Sequence, residues 1–452
     1  MSTIEEPPQT PAAGTRADVL PRTLGLRELI VIVVGGVIGS GIFIVPAIVL
    51  QFTGADAPLA LLIWVIGGVL SLLGALTYGE LGAMQPEAGG IYVYLRGGFG
   101  PLPAFLYGWT LFLVIGSGAV ATLGAAFSGY LGQLVPLTPV TGRIASVLMI
   151  AAVAAVNVAG TRGSASMQTW TTLFKVSALL VMSGALVAAG EPARLFARGA
   201  ASEFDLSLLL SGAATAMIGV LWAYEGWQYA TCSAGEIVRP QRNFPIGMAV
   251  GTATLIVIYC FANIGYIAAL GAGEAALSEG VAADAVAVTF GPAAGKLVAA
   301  AILVSIVSAA NAVVLTTPRV FYAMARDRVF FRRLADVHPT FGTPALAIVA
   351  SCAWASLLAV TGTFQQLLTY VVFAGWVFYA LGAATIFAYR RNAPDAPRPF
   401  RVPGYPVTPL LFVLAAAAIV LNAVFTQTGR ALIGIAVVLT GVPAYALWRK
   451  KG

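Results

Sequence analysis

Charge is what this 452-residue chain has least of: 10% of its residues are Asp, Glu, Lys or Arg, against 59% hydrophobic, and the mean hydropathy is +0.90. A water-soluble globular domain carries about 25% charged residues, so that class is excluded. Histidine occurs once, as His338 in a basic loop before Pro339, so a catalytic imidazole and a histidine-rich metal centre both lack their ligands. The three cysteines, Cys232, Cys260 and Cys352, stand in apolar segments without CxxC spacing and are read as small core residues. No phosphate-binding GxxxxGK[ST] run is present, which argues against an ATP-driven pump. The first 20 residues are rich in Pro, Thr and Glu and have no apolar core, so they predict a short disordered tail rather than a cleaved signal peptide.

Long apolar runs are abundant. A hydrocarbon core about 30 Å thick takes roughly 20 apolar residues per helix, and twelve segments qualify: 28–50, 58–80, 102–132, 143–160, 165–190, 208–235, 245–270, 293–325, 344–361, 365–389, 407–425 and 430–448. The chain is therefore expected to be an all-α multi-pass membrane protein. The net charge of +7 does not point to nucleic acid, because the basic residues sort by side. With the amino terminus inside, nineteen of the 25 fall in tails and loops on that side, and only Arg143, Arg194, Arg198, Lys296 and Arg430 on the other. The positive-inside rule then puts both termini in the cytoplasm; the expected location is a plasma membrane.

Two of these segments are built to break. The first contains Gly35-Gly36-Val37-Ile38-Gly39-Ser40-Gly41, and glycine inside a helix costs roughly 0.5 to 1 kcal/mol relative to alanine. Backbone freed from a helix in hydrocarbon must line a polar cavity or be buried in protein. The sixth carries Trp222-Ala223-Tyr224-Glu225-Gly226-Trp227, an acid and a glycine at mid-depth. Glycine clusters also permit close helix packing, but packing does not explain Glu225. Counted from the breaks, segments one to five and six to ten form halves of similar length and odd number, which must insert with opposite orientation. This predicts an inverted repeat with a site where the breaks meet: a tail 1–22, a first repeat 23–190, a second repeat 191–390, and residues 391–452 outside both, as a brace or a homodimer contact.

Lys175 is the one basic residue near the middle of a segment, about 16 Å along its helix at 1.5 Å per residue. A mid-membrane lysine costs roughly 2.5 to 3.5 kcal/mol and faces a protein interior with a partner, the alternative being a side chain that reaches an interface. Glu80 and Glu236, at helix ends, and Asp327, between Arg326 and Arg328, are read as structural partners of loop arginines.

The run Gly36 to Phe43 resembles the first-helix signature of the amino acid-polyamine-organocation superfamily. Glu80 to Arg96, Phe99-Gly100-Pro101-Leu102, Gly108-Trp109, Trp222 to Trp227 with Gly235-Glu236 and Pro240 to Pro245, Arg319 to Asp327, and Phe400 to Pro406 resemble its later landmarks. Within it, Tyr224 to Trp227 and Arg401 to Pro406 look nearest to the L-type amino acid transporters and their bacterial relatives.

That resemblance implies about twelve transmembrane helices in a LeuT-type 5+5 inverted repeat with helices one and six broken. It also implies a secondary carrier for amino acids. By resemblance, amides of Ser40, Gly41 and Ile42 hold the substrate carboxylate, with Ile38 and Gly39 as floor, and carbonyls at Trp222, Ala223 and Glu225, beside Tyr224, hold its ammonium. Trp222 resembles an aromatic gate. Lys175 resembles a fifth-helix lysine that takes the place of a sodium ion, with Ser305 and Ser308 as candidate neighbours. Neutral L-amino acids are the expected substrates. A cationic amino acid or polyamine, read by Glu225, is the alternative, and a receptor that binds without transport is the competing class. Neither a metal nor another cofactor is expected; exchange, proton symport and the role of Glu225 stay open at this level.

Overall fold

The computed structural model describes residues 22–198, 206–426 and 428–449; the expected amino-terminal tail lies, but for Arg22, outside them. Apolar side chains and paired backbone groups together favour helices here, because hydrocarbon offers an amide no other partner. Among the described residues eighteen α-helices form: α1 Leu26–Val37, α2 Gly41–Phe52, α3 Ala57–Met84, α4 Ile91–Phe99, α5 Pro101–Thr110, α6 Gly116–Gly132, α7 Pro139–Val158, α8 Thr161–Ala189, α9 Leu206–Ala223, α10 Pro240–Leu270, α11 Ala272–Leu277, α12 Val281–Phe290, α13 Pro292–Thr316, α14 Pro318–Arg326, α15 Ala345–Thr361, α16 Phe364–Asn392, α17 Val407–Thr426 and α18 Thr428–Arg449. Among the described residues there is no strand, only one parallel bridge between Leu24 and Ile237. Among the described residues, nine helical spans are each long and apolar enough to cross a bilayer, and the bent pair α1 and α2 makes a tenth. The 17-residue α15 and the interrupted α9 occupy the two remaining expected segments.

Several segments are less regular than their hydropathy predicts. The first bends by 46° between α1 and α2, where Ile38 leaves the helical region at ψ 93°. The sixth stops being α-helical at Ala223 and resumes as a 3₁₀ run, Trp227–Glu236. The third contains a π turn at Leu111–Ile115, and α13 gives way to α14 at Pro318, which has no amide to continue the ladder. Caps fix several starts: Asp56 accepts from the Leu59 amide at 2.9 Å, and Thr138 and Thr363 cap α7 and α16.

Both breaks lie back to back because glycine removes the side chains that would separate them. Gly226 has φ +134°, and a Cβ there would sit 2.6 Å from the carbonyl carbon of Gly36; one on Gly41 would sit 2.5 Å from the Ala223 Cα. Helix α1 packs against α10, α8 and α13, with α3 on α10 and α6 on α13 behind them. Helix α17 lies on α16 and α3, and α18 on α5 and α16.

Ion pairs cluster at the end of the bundle that carries the amino-terminal segment. Glu80 takes two hydrogen bonds from Arg390, at 3.0 and 2.7 Å, and one from the Val402 amide at 2.7 Å. Glu236 accepts from Arg319 at 3.1 Å with both side chains buried, and its carbonyl takes the amides of Thr23 and Leu24. Asp327 pairs not with its sequence neighbours but with Arg96, and accepts from the Tyr92 hydroxyl at 2.6 Å. Burial first, then the hydrogen bond to Asp327, raises the Tyr92 phenol and keeps it a donor.

Breaking a buried pair by removing one partner costs about 3–5 kcal/mol. Arg319→Leu is therefore expected to lower the thermal unfolding temperature of the detergent-purified protein clearly, and adding Glu236→Leu should restore most of the loss. Unchanged melting of the single variant would mean that the pair does not support the fold.

Candidate functional site

An interrupted helix leaves its last carbonyls and first amides without intrahelical partners. In α1 and the break after it the loose ends are carbonyls, and those of Gly35, Val37, Ile38 and Gly39 meet donors from other helices. The Lys175 ammonium, on α8 and 2% exposed, donates to Gly35 O and Ile38 O, both at 2.6 Å. Ser305 of α13 is 3.2 Å from Ile38 O and 3.4 Å from Gly39 O. The Tyr259 hydroxyl of α10 is 3.1 Å from Val37 O and 3.0 Å from Ala223 O, so one phenol joins the two breaks. A cation at a helix carboxyl end is also favoured by the helix dipole.

Ser308 makes no hydrogen bond to the ammonium; its Oγ lies 2.8 Å from the Thr171 hydroxyl. It stands near a buried polar ladder in which Asn157, Ser164, Asn311 and Gln168 hold α7, α8 and α13 together.

On the far side of the break, α2 begins at Gly41 and its first amides, Gly41 and Ile42, precede any helical partner. Ser40 precedes them, its Oγ buried without a hydrogen-bond partner. Facing this amino end is the carboxyl end of α9, where Trp222 O accepts from the Glu225 amide at 3.0 Å and Ala223 O is near Tyr259. A carbonyl oxygen has two lone pairs, so each keeps acceptor capacity. Between the two ends lies a cavity of about 20 Å³ lined by Gly39, Ser40, Gly41, Trp222, Glu225 and Tyr229, with Gly36, Val37, Ala119, Leu123, Ala309 and Val313 completing the wall. A water molecule needs roughly 10–15 Å³, so the cavity is closed down far below the size of an amino acid.

The Glu225 Oε1 accepts from Tyr379 of α16 at 2.6 Å, Gln228 at 2.8 Å and Tyr229 at 3.2 Å. It thus both lines the cavity and fastens the 3₁₀ run to α16. Gln228 also takes the Gly226 amide at 3.0 Å. The Trp222 ring lines the cavity and meets Phe364 edge-on at 6.4 Å between centroids.

Not every residue expected at the substrate is on this wall. The side chains of Ile38, Ile42 and Ala223 are packed in the core, and Ile38 contributes its carbonyl to Lys175 instead of a floor. The Tyr224 ring meets Trp64 and Tyr259 at a tilt, with centroids 6.0 and 5.0 Å away, and its hydroxyl is unpartnered, because residues on a helix end point all round while only one side meets the cavity. Conversely, Tyr259, Tyr379, Gln228 and Tyr229 were not singled out in the sequence. A phenol inside an apolar run was the available signal, but nothing local names its partner.

The Tyr259 hydroxyl is predicted to matter for turnover and that of Tyr224 not to. Tyr259→Phe is expected to slow uptake of a mixed amino acid pool into proteoliposomes by about tenfold or more, the worth of a hydrogen bond of about 1.5 kcal/mol. Tyr224→Phe should stay within about twofold; equal effects would contradict the geometry.

Residues 24–442 match the family model described as amino acid permease. The serine/threonine exchanger SteT of Bacillus subtilis is 30% identical over 440 residues, covering 97% of this chain and 99% of that one. The large neutral amino acids transporter small subunit 2 of Rattus norvegicus is 31% identical over 460 residues, 97% of this chain and 84% of its own. The human cystine/glutamate transporter is 31% identical over 460 residues, 99% of this chain and 89% of its own. With a family match running through both breaks and relatives aligned along nearly the whole chain, this protein belongs to the amino acid permease family and is a membrane transporter rather than an enzyme.

Proposed function

We propose that the chain exchanges amino acids across a plasma membrane by alternating access, without sodium. The observation that carries this is the pair of helix ends across one cavity: unpaired amides at the start of α2, with the orphan Ser40 hydroxyl, facing carbonyls at the end of α9. A helix amino end suits a carboxylate and carbonyls suit an ammonium, so the two ends fit the two charges of a zwitterion. Ser40, Gly41 and Ile42 take the carboxylate; Trp222, Ala223 and Glu225 take the ammonium through main-chain oxygens. Exchangers among the relatives support the mode of transport.

The Lys175 ammonium occupies the place where a free monovalent cation would bridge the first break and Ser305, so transport needs no sodium. The repeats are 23–190 and 191–390, with both termini in the cytoplasm. Exposed apolar side chains of α17 and α18, such as Leu410, Leu414, Phe425 and Leu439, face lipid or a second copy. Because the cavity is contracted, substrate entry requires Trp222 and its break to move, as in a carrier whose lid closes over the ligand.

Small or medium neutral amino acids are the proposed substrates, since the Glu225 oxygen nearest three donors is already satisfied. Its presence on the wall favours one second reading, a cationic side chain paired with Glu225.

Vesicles preloaded with unlabelled amino acids are expected to take up a labelled pool in sodium-free buffer, and empty vesicles to take up far less. Glu225→Gln should leave uptake of neutral amino acids within about tenfold if the first reading holds; selective loss of lysine and arginine uptake would establish the second. Absence of uptake in both vesicle types would remove the exchanger reading.

A further inference from the structure

One charged surface has no part in the transport site. Between α14 and α15 runs Arg326-Asp327-Arg328-Val329-Phe330-Phe331-Arg332-Arg333, starting at the last residue of a membrane-spanning helical stretch. Arg328, Arg332 and Arg333 are exposed, and none of the three enters an ion pair among the described residues. Asp327, the acid inside the run, is engaged by Arg96 and Tyr92.

The two adjacent phenylalanines part company. Phe330 is buried against Phe321 and Phe112, while Phe331 is 57% exposed and meets Trp448, near the end of α18, edge-on at 5.0 Å. The left-handed turn at Arg328, φ +60°, starts the loop that carries them. An apolar ring standing out among three uncompensated guanidinium groups fits neither open water nor hydrocarbon. It fits the layer between them, where acyl chains begin and phosphates lie.

We propose that Arg328, Arg332 and Arg333 with Phe331 form a binding site for the headgroup of an anionic phospholipid in the cytoplasmic leaflet. The guanidinium groups take the phosphate, which they match with paired N–H donors, and the ring enters the glycerol and upper acyl region. The choice of leaflet rests on the proposed orientation; the chemistry of the site does not. On the opposite face, among the described residues, Arg194 pairs with Glu191 and Arg198 lies near Asp56.

Native mass spectrometry of the full-length protein in neutral detergent, titrated with phosphatidylglycerol, phosphatidylcholine or inorganic phosphate, tests the proposal. Saturable binding of phosphatidylglycerol is expected, weakened by about a hundredfold in the triple variant Arg328→Gln, Arg332→Gln, Arg333→Gln, at roughly tenfold or less per arginine. Phe331→Ser should weaken the lipid and leave any phosphate binding unchanged. Arg143→Gln with Lys296→Gln, on the other face, should change nothing, and equal melting of all variants shows that they are folded. Undiminished phosphatidylglycerol binding by the triple variant, equal binding of phosphatidylcholine, or binding of inorganic phosphate as tight as that of the lipid would each overturn the site. Because the protein is in detergent, these outcomes do not depend on which way the chain is inserted; labelling of single cysteines placed at Arg332 and Arg143 in sealed vesicles tests orientation separately.

Discussion

Everything at the centre of this molecule follows from the cost of leaving backbone carbonyls unpaired in a bilayer. Opening α1 at Ile38 to Ser40 frees carbonyls that hydrocarbon cannot solvate, each worth several kcal/mol if left alone. The chain answers with side chains from three other helices: Lys175 from α8, Tyr259 from α10 and Ser305 from α13. A buried ammonium is itself expensive and becomes tolerable only because those carbonyls surround it. The break and the lysine therefore stabilise one another.

The same constraint fixes where the site is. Since donors on one side satisfy the α1 carbonyls, the amides of α2 on the other side remain available, beside the orphan Ser40 hydroxyl. The second break is brought against the first by the absence of side chains at Gly41 and Gly226. Tyr259 ties the two by one hydroxyl, and Glu225 anchors the 3₁₀ run to α16 through Tyr379. A movement of either break is thus felt by both, which is the mechanical requirement of a carrier whose site opens to one side at a time. At the amino-terminal end, the pairs Glu236 with Arg319 and Asp327 with Arg96 must yield or travel with that movement.

How much of this can be read in the sequence depends on whether a residue signals alone or only through a partner. The first break is legible because four glycines crowd one apolar run and a second apolar run carries Glu225 beside a glycine, which close packing alone does not explain, and Lys175 because it is the one basic residue at mid-depth. The segments themselves are legible because hydrophobic length is set by the bilayer. By contrast, Ala119, Leu123, Ala309 and Val313 look like any lipid-facing residue, and only the packing shows that they meet the cavity. Tyr259 and Tyr379 are phenols in apolar runs whose partners lie far away in sequence. Asp327 carries a similar lesson: its neighbours Arg326 and Arg328 are adjacent along the chain, yet the turn after α14 presents it to Arg96. The change to a 3₁₀ run after Gly226 has no hydropathy signature, because hydropathy does not report backbone pitch.

The central claim is that a tethered ammonium replaces a free cation at the first break, and its most direct test is the cation dependence of exchange. Initial rates of amino acid exchange in proteoliposomes should be measured for the intact protein and for Lys175→Ala, with sodium on both sides or with choline in its place. The account predicts equal rates in the two buffers for the intact protein, and loss of exchange in choline for the variant. A strict sodium requirement in the intact protein, or full activity of Lys175→Ala in choline, would contradict it.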